Sequence, residues 1–444
     1  MEFAGQHVLV LGLGVSGCSA ARYCAERGAC VVAADERPRE AISGVETLPT
    51  SIELALGRPF PDPEAFDLVV PSPGVPPERW AGRAKRAWGD LELCYRALPV
   101  PIIAVTGTNG KSTVVRLIES MARAAGLRAR AAGNVGIPAL DLVGQPLDIA
   151  ILEVSSFQLE SVERFRPKIA VLLNLSPDHL DRHGDFDRYI EVKSRLFARQ
   201  RAGDHAVVNG DDERARAIAL PKEVERLEFT RGRVVDQGAW LDGRNAILRR
   251  RGKQHVLSLE HSGLLGAHND DNVLAALLAL SPLDVDLAAA TGALANFEGL
   301  PHRCERVAEI RGVTYIDDSK ATNPGAAARA LTVFAAPLVW IVGGRHKGGD
   351  LMALALCAAG RVRRALLIGE AADQFERALA GRVTCERVGS LAEAVRLGAA
   401  IAHPGDIVLL APACASFDQF DSFEDRGRQF RAAVAQLTPE GARE

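Results

Sequence analysis

No Cys-x-x-Cys pair occurs in the sequence. Its eight cysteines (Cys18, Cys24, Cys30, Cys94, Cys304, Cys357, Cys385 and Cys414) are scattered along the chain. That spacing is unlike a zinc ribbon or a dithiol redox motif, so the thiols are expected to act as small core hydrophobes in a reducing cytosol. Long apolar runs are also missing: none approaches the roughly 18 residues that a membrane span needs. The opening MEFAGQHVLVLGLG has no basic stretch ahead of its apolar run, so no signal peptide is expected and the chain reads as cytoplasmic. Charge of one sign is not in excess, with 53 Lys and Arg against 56 Asp and Glu. A net charge of −3 gives no electrostatic reason for nucleic acid or an anionic membrane as partner, and neither is expected. There is no internal repeat.

What is present is length and alternation. At 444 residues the chain exceeds one ordinary core, so two or three domains are expected. Apolar runs of five to eight residues (HVLVLG, CVVAAD, DLVVPS, IIAVTG, DIAILEV, IAVLLNL, HAVVNG, LVWIVGG, RALLIG, DIVLLAP) alternate with helical-period segments. This pattern predicts an α/β protein of parallel sheets with crossover helices. Breaks at RALPVP and FEGLPHR divide it into blocks 1–98, 99–299 and 300–444. Residues 230–265 differ: their short, charged, alternating runs predict a small antiparallel sheet.

AVTGTNGKSTVVR, residues 104–116, joins a strand-like run to a helix through a glycine turn. It fails the general phosphate-loop pattern, because Val105 stands where G-x-x-x-x-G-K-[ST] requires glycine. The chemistry nevertheless fits an anion. Gly107 and Gly110 let successive N–H groups around Thr108 and Asn109 converge, and the helix start adds its positive dipole end. Lys111 can reach terminal phosphates, and Ser112 or Thr113 can offer a hydroxyl to Mg²⁺. A metal-bound nucleotide also needs a carboxylate, and Glu153 ends the strand-like run DIAILEV.

A second glycine turn lies near the amino terminus, where Gly12, Gly14 and Gly17 form G-x-G-x-x-G and Asp35 closes the next strand. Read by rule this is a dinucleotide fingerprint with an acidic ribose ligand, hence an NAD-dependent oxidoreductase. Any diphosphate could use the same turn, a UDP-linked substrate included. The residues leave both readings open.

Segments along the chain decide between them. TGTNGKST (106–113), GNVGIPAL (133–140), LEVSSFQLE (152–160), NLSPDHLDRH (174–183), GLPHRCE (299–305), DDSKATNP (317–324), GGRHKGGDL (343–351) and APACASFDQFDSFEDRG (411–427) together resemble the Mur ligase family of ATP-dependent amide-forming enzymes. The family's own loop is G-x-x-G-K-[ST], which accounts for Val105. The resemblance implies three domains: a Rossmann-like UDP-binding domain, a central ATPase domain, and a Rossmann-like domain that binds the incoming amino acid. It implies joining of D-glutamate to UDP-N-acetylmuramoyl-L-alanine with ATP consumed, in peptidoglycan synthesis, by a monomer. The D-N-P-R segment of the diaminopimelate- or lysine-adding branch is absent, whereas DSKATN and CASFDQF favour D-glutamate. Folylpolyglutamate synthase and the other Mur ligases remain the related alternatives.

Carried over by position, the resemblance puts Gly107 to Thr113 on the ATP phosphates. It makes Ser112, Glu153, His179 and Lys193 the surroundings of two Mg²⁺ ions, with Lys193 carbamylated by CO₂. Asn269 and Asn272 fall on the adenine side, and Arg303 and Asp318 meet the nucleotide from the third domain. Thr322, Lys347, Ser416 and Phe423 fall on the D-glutamate pocket. Gly14, Val15, Ser16, Asp35, Arg37, Ser72, Pro73 and Gly74 fall on the UDP site, and Asn134 near the muramoyl–alanine arm. Two departures touch none of these roles: Ala411 replaces a frequent serine, and His346 occupies a variable position beside Lys347.

Overall fold

The computed structural model describes residues 2–134, 136–260, 267–297, 299 and 301–437. Three sheets carry the chain, as the alternation of runs predicts. The first holds β1 (His7–Leu11), β2 (Cys30–Asp35), β3 (Glu53–Leu56) and β4 (Leu68–Pro71), all parallel, in the order β3-β2-β1-β4. The second holds β5 (Ile102–Thr106), β6 (Ala129–Gly133), β7 (Ile149–Glu153), β8 (Ile169–Leu172), β9 (His205–Asn209), β10 (Glu225–Thr230), β11 (Gly238–Asp242), β12 (Asn245–Arg250) and β13 (Lys253–Ser258). Its order is β13-β12-β11-β10-β9-β8-β5-β7-β6. The third holds β14 (Glu305–Ile310), β15 (Val313–Asp317), β16 (Leu338–Gly343), β17 (Val362–Ile368), β18 (Cys385–Arg387) and β19 (Ile407–Leu410), in the order β14-β15-β19-β16-β17-β18.

The antiparallel strands expected over 230–265 are present, but they do not stand apart. β11 pairs parallel with β10, and β12 and β13 fold back antiparallel beyond it, so they extend one edge of the central sheet. The β12–β13 hairpin closes through Arg251 and Gly252, both at positive φ, the geometry a two-residue hairpin turn requires.

Two compact units emerge. One comprises Met1–Leu175, Asp187–Ser262 and Asp271–Asn296; the other comprises Ser176–Phe186, Gly263–Asp270 and Phe297–Glu444. The division expected at 299/300 involves Leu300, which lies outside the described residues.

In the second unit β16 shows why continuous apolar runs form these strands. Leu338, Trp340 and Val342 join one buried cluster while Val339 and Ile341 join another, so alternate side chains fill both faces of the sheet. Four cysteines, Cys18, Cys24, Cys94 and Cys414, are buried in the cores, whereas Cys30 is exposed and Cys304, Cys357 and Cys385 are half-buried; burial pushes Cys24 and Cys414 up to about 12, which makes their thiols packing groups. Among the described residues no helix is long and apolar enough to cross a membrane.

Within the first unit, helix α1 (Val15–Ala25) follows β1, and α2 (Asp90–Ala97) leads from the first sheet to the second. Glu92 on α2 has no solvent-exposed surface, and its Oε2 accepts the backbone N–H groups of Glu163, Arg164 and Phe165, each at 2.9 Å. Its Oε1 accepts from Arg96, whose guanidinium lies 3.9 Å over the Trp88 ring. One carboxylate thus satisfies three amides of a turn more than seventy residues away. Glu92→Ala is expected to lower the stability of the full chain by about 3 kcal/mol, because it orphans those amides and Arg96 together. Urea unfolding followed by Trp fluorescence measures this, and a change below about 0.5 kcal/mol would refute it.

Candidate functional site

All three sheets deliver loops at strand carboxyl ends. In the first two sheets these loops emerge where strand order reverses, the place at which open α/β sheets bind ligands. β1 lies between β2 and β4, and β5 between β8 and β7.

The loop after β5 leads into α3 (Lys111–Ala124). Gly107 has φ +150°, and a Cβ there would meet Leu173 Cβ at 3.0 Å; Gly110 has φ +90°, and a Cβ there would meet Asn272 Oδ1 at 2.7 Å. Only glycine suits either position. α3 starts from Gly110, a residue with no capping side chain, and its positive end faces the loop. Asn174, at the end of β8, braces the turn: its Oδ1 accepts from Asn109 N and its Nδ2 donates to Asn109 O, both at 2.9 Å. Thr108 pairs its hydroxyl with the Tyr189 hydroxyl at 3.0 Å.

Two lysines meet on this loop. Lys111 Nζ donates to Gly107 O at 2.8 Å and to Thr108 O at 2.9 Å. Lys193, on helix Phe186–Ser194 and only 1% exposed, donates to the same Gly107 O at 3.1 Å and to Thr106 Oγ1 at 3.2 Å. Two ammonium groups on one carbonyl repel each other, and an anion between them would relieve the repulsion.

Glu153 ends β7 directly beside this loop, in register with Val105. It is 2% exposed; Asn134 Nδ2 donates to its Oε1 at 2.9 Å, and its Oε2 has no hydrogen-bond partner among the described residues. A buried carboxylate oxygen without a donor is costly unless a cation meets it. The residue therefore fits a metal ion, and the loop fits the phosphates the metal would accompany. Asn134, expected near a substrate arm, lies on the Glu153 carboxylate itself.

At the first-sheet turn Gly17 is obligatory, since a Cβ there would come 1.9 Å from Gly12 O. Ser72 Oγ closes the turn by donating to Gly12 O at 2.6 Å. A Cβ placed on Gly14 or Gly74 would meet none of the described residues within 4 Å, and Val15 is 71% exposed, so this end of α1 is open. Asp35 is not. It accepts Leu13 N at 2.7 Å and three N–H groups of Arg37. Burial alone would raise its pKa, but the Arg37 and Leu13 hydrogen bonds outweigh it and hold the carboxyl at about 2. An acid so fully engaged shapes the turn, and a ribose diol would have to displace those donors.

In the second unit the loops after β15, β16 and β19 lie side by side. Arg345 and Ala415 exchange two backbone hydrogen bonds at 2.9 Å, joining the GGRHK loop to the ACAS loop. Arg426 is completely buried and donates to Ser319 Oγ, Ser319 O and Cys414 O; burial lowers its pKa to about 10. Ser319 Oγ in turn donates to Phe423 O at 2.9 Å. This knot positions Ser416, which is 2% exposed, and Phe423, which opens helix Phe423–Ala435. Lys320 Nζ lies 3.6 Å over the Phe423 ring. Lys347 Nζ lies 4.0 Å from Asp178, whose other oxygen faces Asn323 Nδ2 at 3.4 Å. His179 follows at φ +52°, its N–H donating to Asp178 Oδ1 at 3.0 Å. Thr322 stands in the same loop as Lys320, to whose carbonyl its N–H donates at 2.8 Å.

His302, Glu305 and Asp317 have metal-ligand spacing. Arg431 already pairs with Glu305 and lies 3.7 Å from Asp317, so a cation is in place there. Asn272 reaches the phosphate loop, and Asn269 is on the first turn of the same helix, Ala267–Leu280. The sequence gives no direct sign of the pairings of Tyr189, Asn174, Asp178 and Lys320; their one signal is a position inside the family-like motifs or on the Lys193 helix.

Arg303 and Asp318 come together. Burial, first, pushes Asp318 up to about 7 despite the lowering effect of the Arg303 charge and the Cys304 N–H at 3.1 Å. A folded chain that keeps this proton to about pH 7, while an unfolded one releases it near 3.8, loses stability as pH rises between those values. Thermal or urea unfolding at pH 5 and pH 8 should show Asp318→Asn gaining about 2 kcal/mol relative to wild type across that interval. A constant difference between the two proteins would contradict the assignment.

The comparisons with known proteins agree along the chain. Family models described as Mur ligase MurD-like N-terminal domain, Mur ligase middle domain, and Mur ligase glutamate ligase domain match residues 6–87, 105–280 and 302–414. A UDP-N-acetylmuramoylalanine--D-glutamate ligase of Pelotomaculum thermopropionicum is 41% identical over 98% of this chain and 99% of its own. Among solved structures, a pseudomurein peptide ligase type C from Methanothermus fervidus shares the fold at 17% identity. Its TM-score is 0.65, over 98% of this chain and all of its own. The MurF ligase from Thermotoga maritima in complex with ADP shares it at 19% identity and TM-score 0.60, over 84% of this chain and 90% of its own.

Proposed function

This chain belongs to the Mur ligase family, and we propose that it joins D-glutamate to UDP-N-acetylmuramoyl-L-alanine with ATP hydrolysed to ADP and phosphate, in cytoplasmic peptidoglycan synthesis. The observation that carries the ATP half is the convergence of Lys111 and Lys193 on Gly107 O, next to the strand that ends in Glu153. The choice of acceptor and amino acid rests on the full-length relatives, of which that from Pelotomaculum thermopropionicum is one.

A carboxylate is a poor acyl donor and must first gain a leaving group. An oxygen of the alanine carboxylate attacks the ATP γ-phosphorus, the bond to the ADP oxygen breaks, and an acyl phosphate results. Two anions meet in that step. Lys111 and the amino end of α3 offset their repulsion and follow the charge as it spreads over the transferring group. The D-glutamate nitrogen then attacks the acyl carbon, phosphate leaves, and the nitrogen gives up a proton. Lys347 pairs with a glutamate carboxylate, while Thr322, Ser416 and the start of the Phe423 helix supply hydrogen bonds. Arg303, Asp318, Asn269 and Asn272 hold the nucleotide. The open turn at Gly14, Val15 and Ser16, with Ser72, Pro73 and Gly74, takes the UDP diphosphate on the α1 amino end, and Arg37 lies on its border.

Ser112, Glu153, His179 and a carbamylated Lys193 would hold Mg²⁺, which supplies positive charge against the phosphate oxygens. Carbamylation releases two protons: the Lys193 ammonium gives up one to free the Nζ lone pair, which bonds to the carbon of CO₂, and the nitrogen gives up the second, so that one of the two competing cations becomes an anion. The protein is proposed to act as a monomer.

Phosphate release from ATP with UDP-N-acetylmuramoyl-L-alanine tests the reading. D-Glu is expected to exceed L-Glu, L-Ala and diaminopimelate by about 100-fold or more, since a pocket built to pair charged groups rejects ligands that leave them unpaired. Equal or greater turnover with diaminopimelate would overturn it. Lys193→Ala is expected to lose about 100-fold or more in rate and to regain part of it with added formate or acetate. Full activity without added carboxylate would remove the carbamate.

A further inference from the structure

The loops that carry Lys347 and Ser416 leave β16 and β19, two strands that pair with each other. The loop after β17 holds none of the residues assigned above, yet both of the others are fastened to it. β16 lies between β19 and β17, so the outer two strand ends stand about 10 Å apart, two strand spacings. Asp418 crosses that gap: its Oδ2 accepts Glu370 N at 3.0 Å.

The crossing is close because glycines line it. Gly343 and Gly344 both hold φ +129°, and a Cβ on Gly344 would come 2.4 Å from Ala415 O. Gly369 holds φ +69°; a Cβ there would meet Asp418 Oδ2 at 2.3 Å and Gly344 Cα at 2.8 Å. The middle loop is bonded on both sides as well. Ala371 N donates to Gly344 O at 2.9 Å, and Arg345 exchanges its two backbone bonds with Ala415. On the β19 loop, Gln419 N and Phe420 N both donate to Ser416 O, at 3.1 and 2.9 Å, so Ser416 and Asp418 share one tight turn. Where Asp418 is held, Ser416 is held.

We propose that Asp418 is a positioning residue for the amino-acid pocket: by capping Glu370 N it clasps the Ser416 turn to its neighbours and sets the distance between Ser416 and Lys347. The inference rests on the ligase reading, in which Lys347 pairs with a carboxylate of D-glutamate and Ser416 hydrogen-bonds the same molecule. A pocket whose donors drift apart grips only one end of so short a ligand. The Arg345–Glu370 ion pair lies alongside, but both side chains are about half exposed, and such pairs contribute little. The cap needs only an acceptor. Asp418 Oδ1 is buried and has no hydrogen-bond partner among the described residues. An amide whose NH₂ takes that place breaks no existing bond, while its oxygen still accepts from Glu370 N.

Full-length wild type, Asp418→Ala, Asp418→Asn and Glu370→Ala test this by steady-state kinetics, with D-glutamate, ATP and UDP-N-acetylmuramoyl-L-alanine varied separately. Asp418→Ala is expected to raise KM for D-glutamate about 10-fold and to leave the other two KM values within about 2-fold. Asp418→Asn and Glu370→Ala both keep an acceptor on the N–H of residue 370, and all their KM values are expected within about 2-fold of wild type. A merely structural loss would lower the folded fraction, and with it kcat, while moving no KM. An unchanged D-glutamate KM in Asp418→Ala overturns the inference. So does a similar rise in all three KM values, or a D-glutamate KM raised as far in Asp418→Asn or Glu370→Ala as in Asp418→Ala. If Asp418→Ala does not fold, Asp418→Ser, whose hydroxyl is one bond shorter, takes its place under the same criteria. No product from the wild-type chain would overturn the ligase reading and this inference with it, whereas normal wild-type turnover isolates the inference.

Discussion

Lys111 and Lys193 share the carbonyl oxygen of Gly107, and much of the central sheet is arranged so that they can. The carbonyl is open to both because Gly107 holds φ +150°, which turns the chain sharply as it leaves β5. Lys193 reaches it only because its helix returns across the end of β5, with Tyr189 on the same helix bonded to Thr108. Asn174 and Asn272 pack the remaining sides of the turn. Each of these contacts narrows the freedom of the loop without neutralising its charge. The positive field of the loop and the unpaired oxygen of Glu153 are complementary halves of one demand, for a phosphate and a cation together.

The same geometric solution recurs at the first sheet with opposite emphasis. There a helix amino end, an open Gly14 and exposed Val15 provide space, while the nearby carboxylate of Asp35 is consumed by Leu13 and Arg37. The second unit solves a third problem. A buried guanidinium, Arg426, gathers the carbonyls and hydroxyl of two loops, leaving Lys320 and Lys347 as cations beside Phe423 and Asp178. Three sheets therefore present three different chemical surfaces at equivalent strand ends, as parallel α/β architecture allows.

Strands as apolar as HVLVL or LVWIVG were legible because burial on both faces needs an unbroken run. Short strands such as Glu53–Leu56, Ala129–Gly133 and Cys385–Arg387 were not, since alanine, arginine and glutamate carry no such signature. The glycine turn after β5 could be read from Gly107 and Gly110, because local backbone chemistry dictates it. Lys193 could not: its partner Gly107 is 86 residues away, and a lysine on a helix gives no local sign of burial. Asp178 and Arg426 were hidden for the same reason, their partners being brought to them only by the folded chain.

The glycine turn near the amino terminus shows where a motif misleads. G-x-G-x-x-G with an acid at the next strand end describes a backbone geometry, and the structure has that geometry, with Gly17 against Gly12 and Ser72 closing the turn. The motif does not say what the acid is for. In a dinucleotide site the acid must keep lone pairs for a ribose; here both Asp35 oxygens already accept N–H groups, three of them from Arg37. An arginine on the border of a diphosphate turn favours an anionic ligand over a neutral diol. A hydride carrier would also leave the Lys111 and Lys193 convergence and the Glu153 carboxylate without a use. In the proposed ligation a nucleotide sugar occupies the turn and ATP the Lys111 loop, so both have a use.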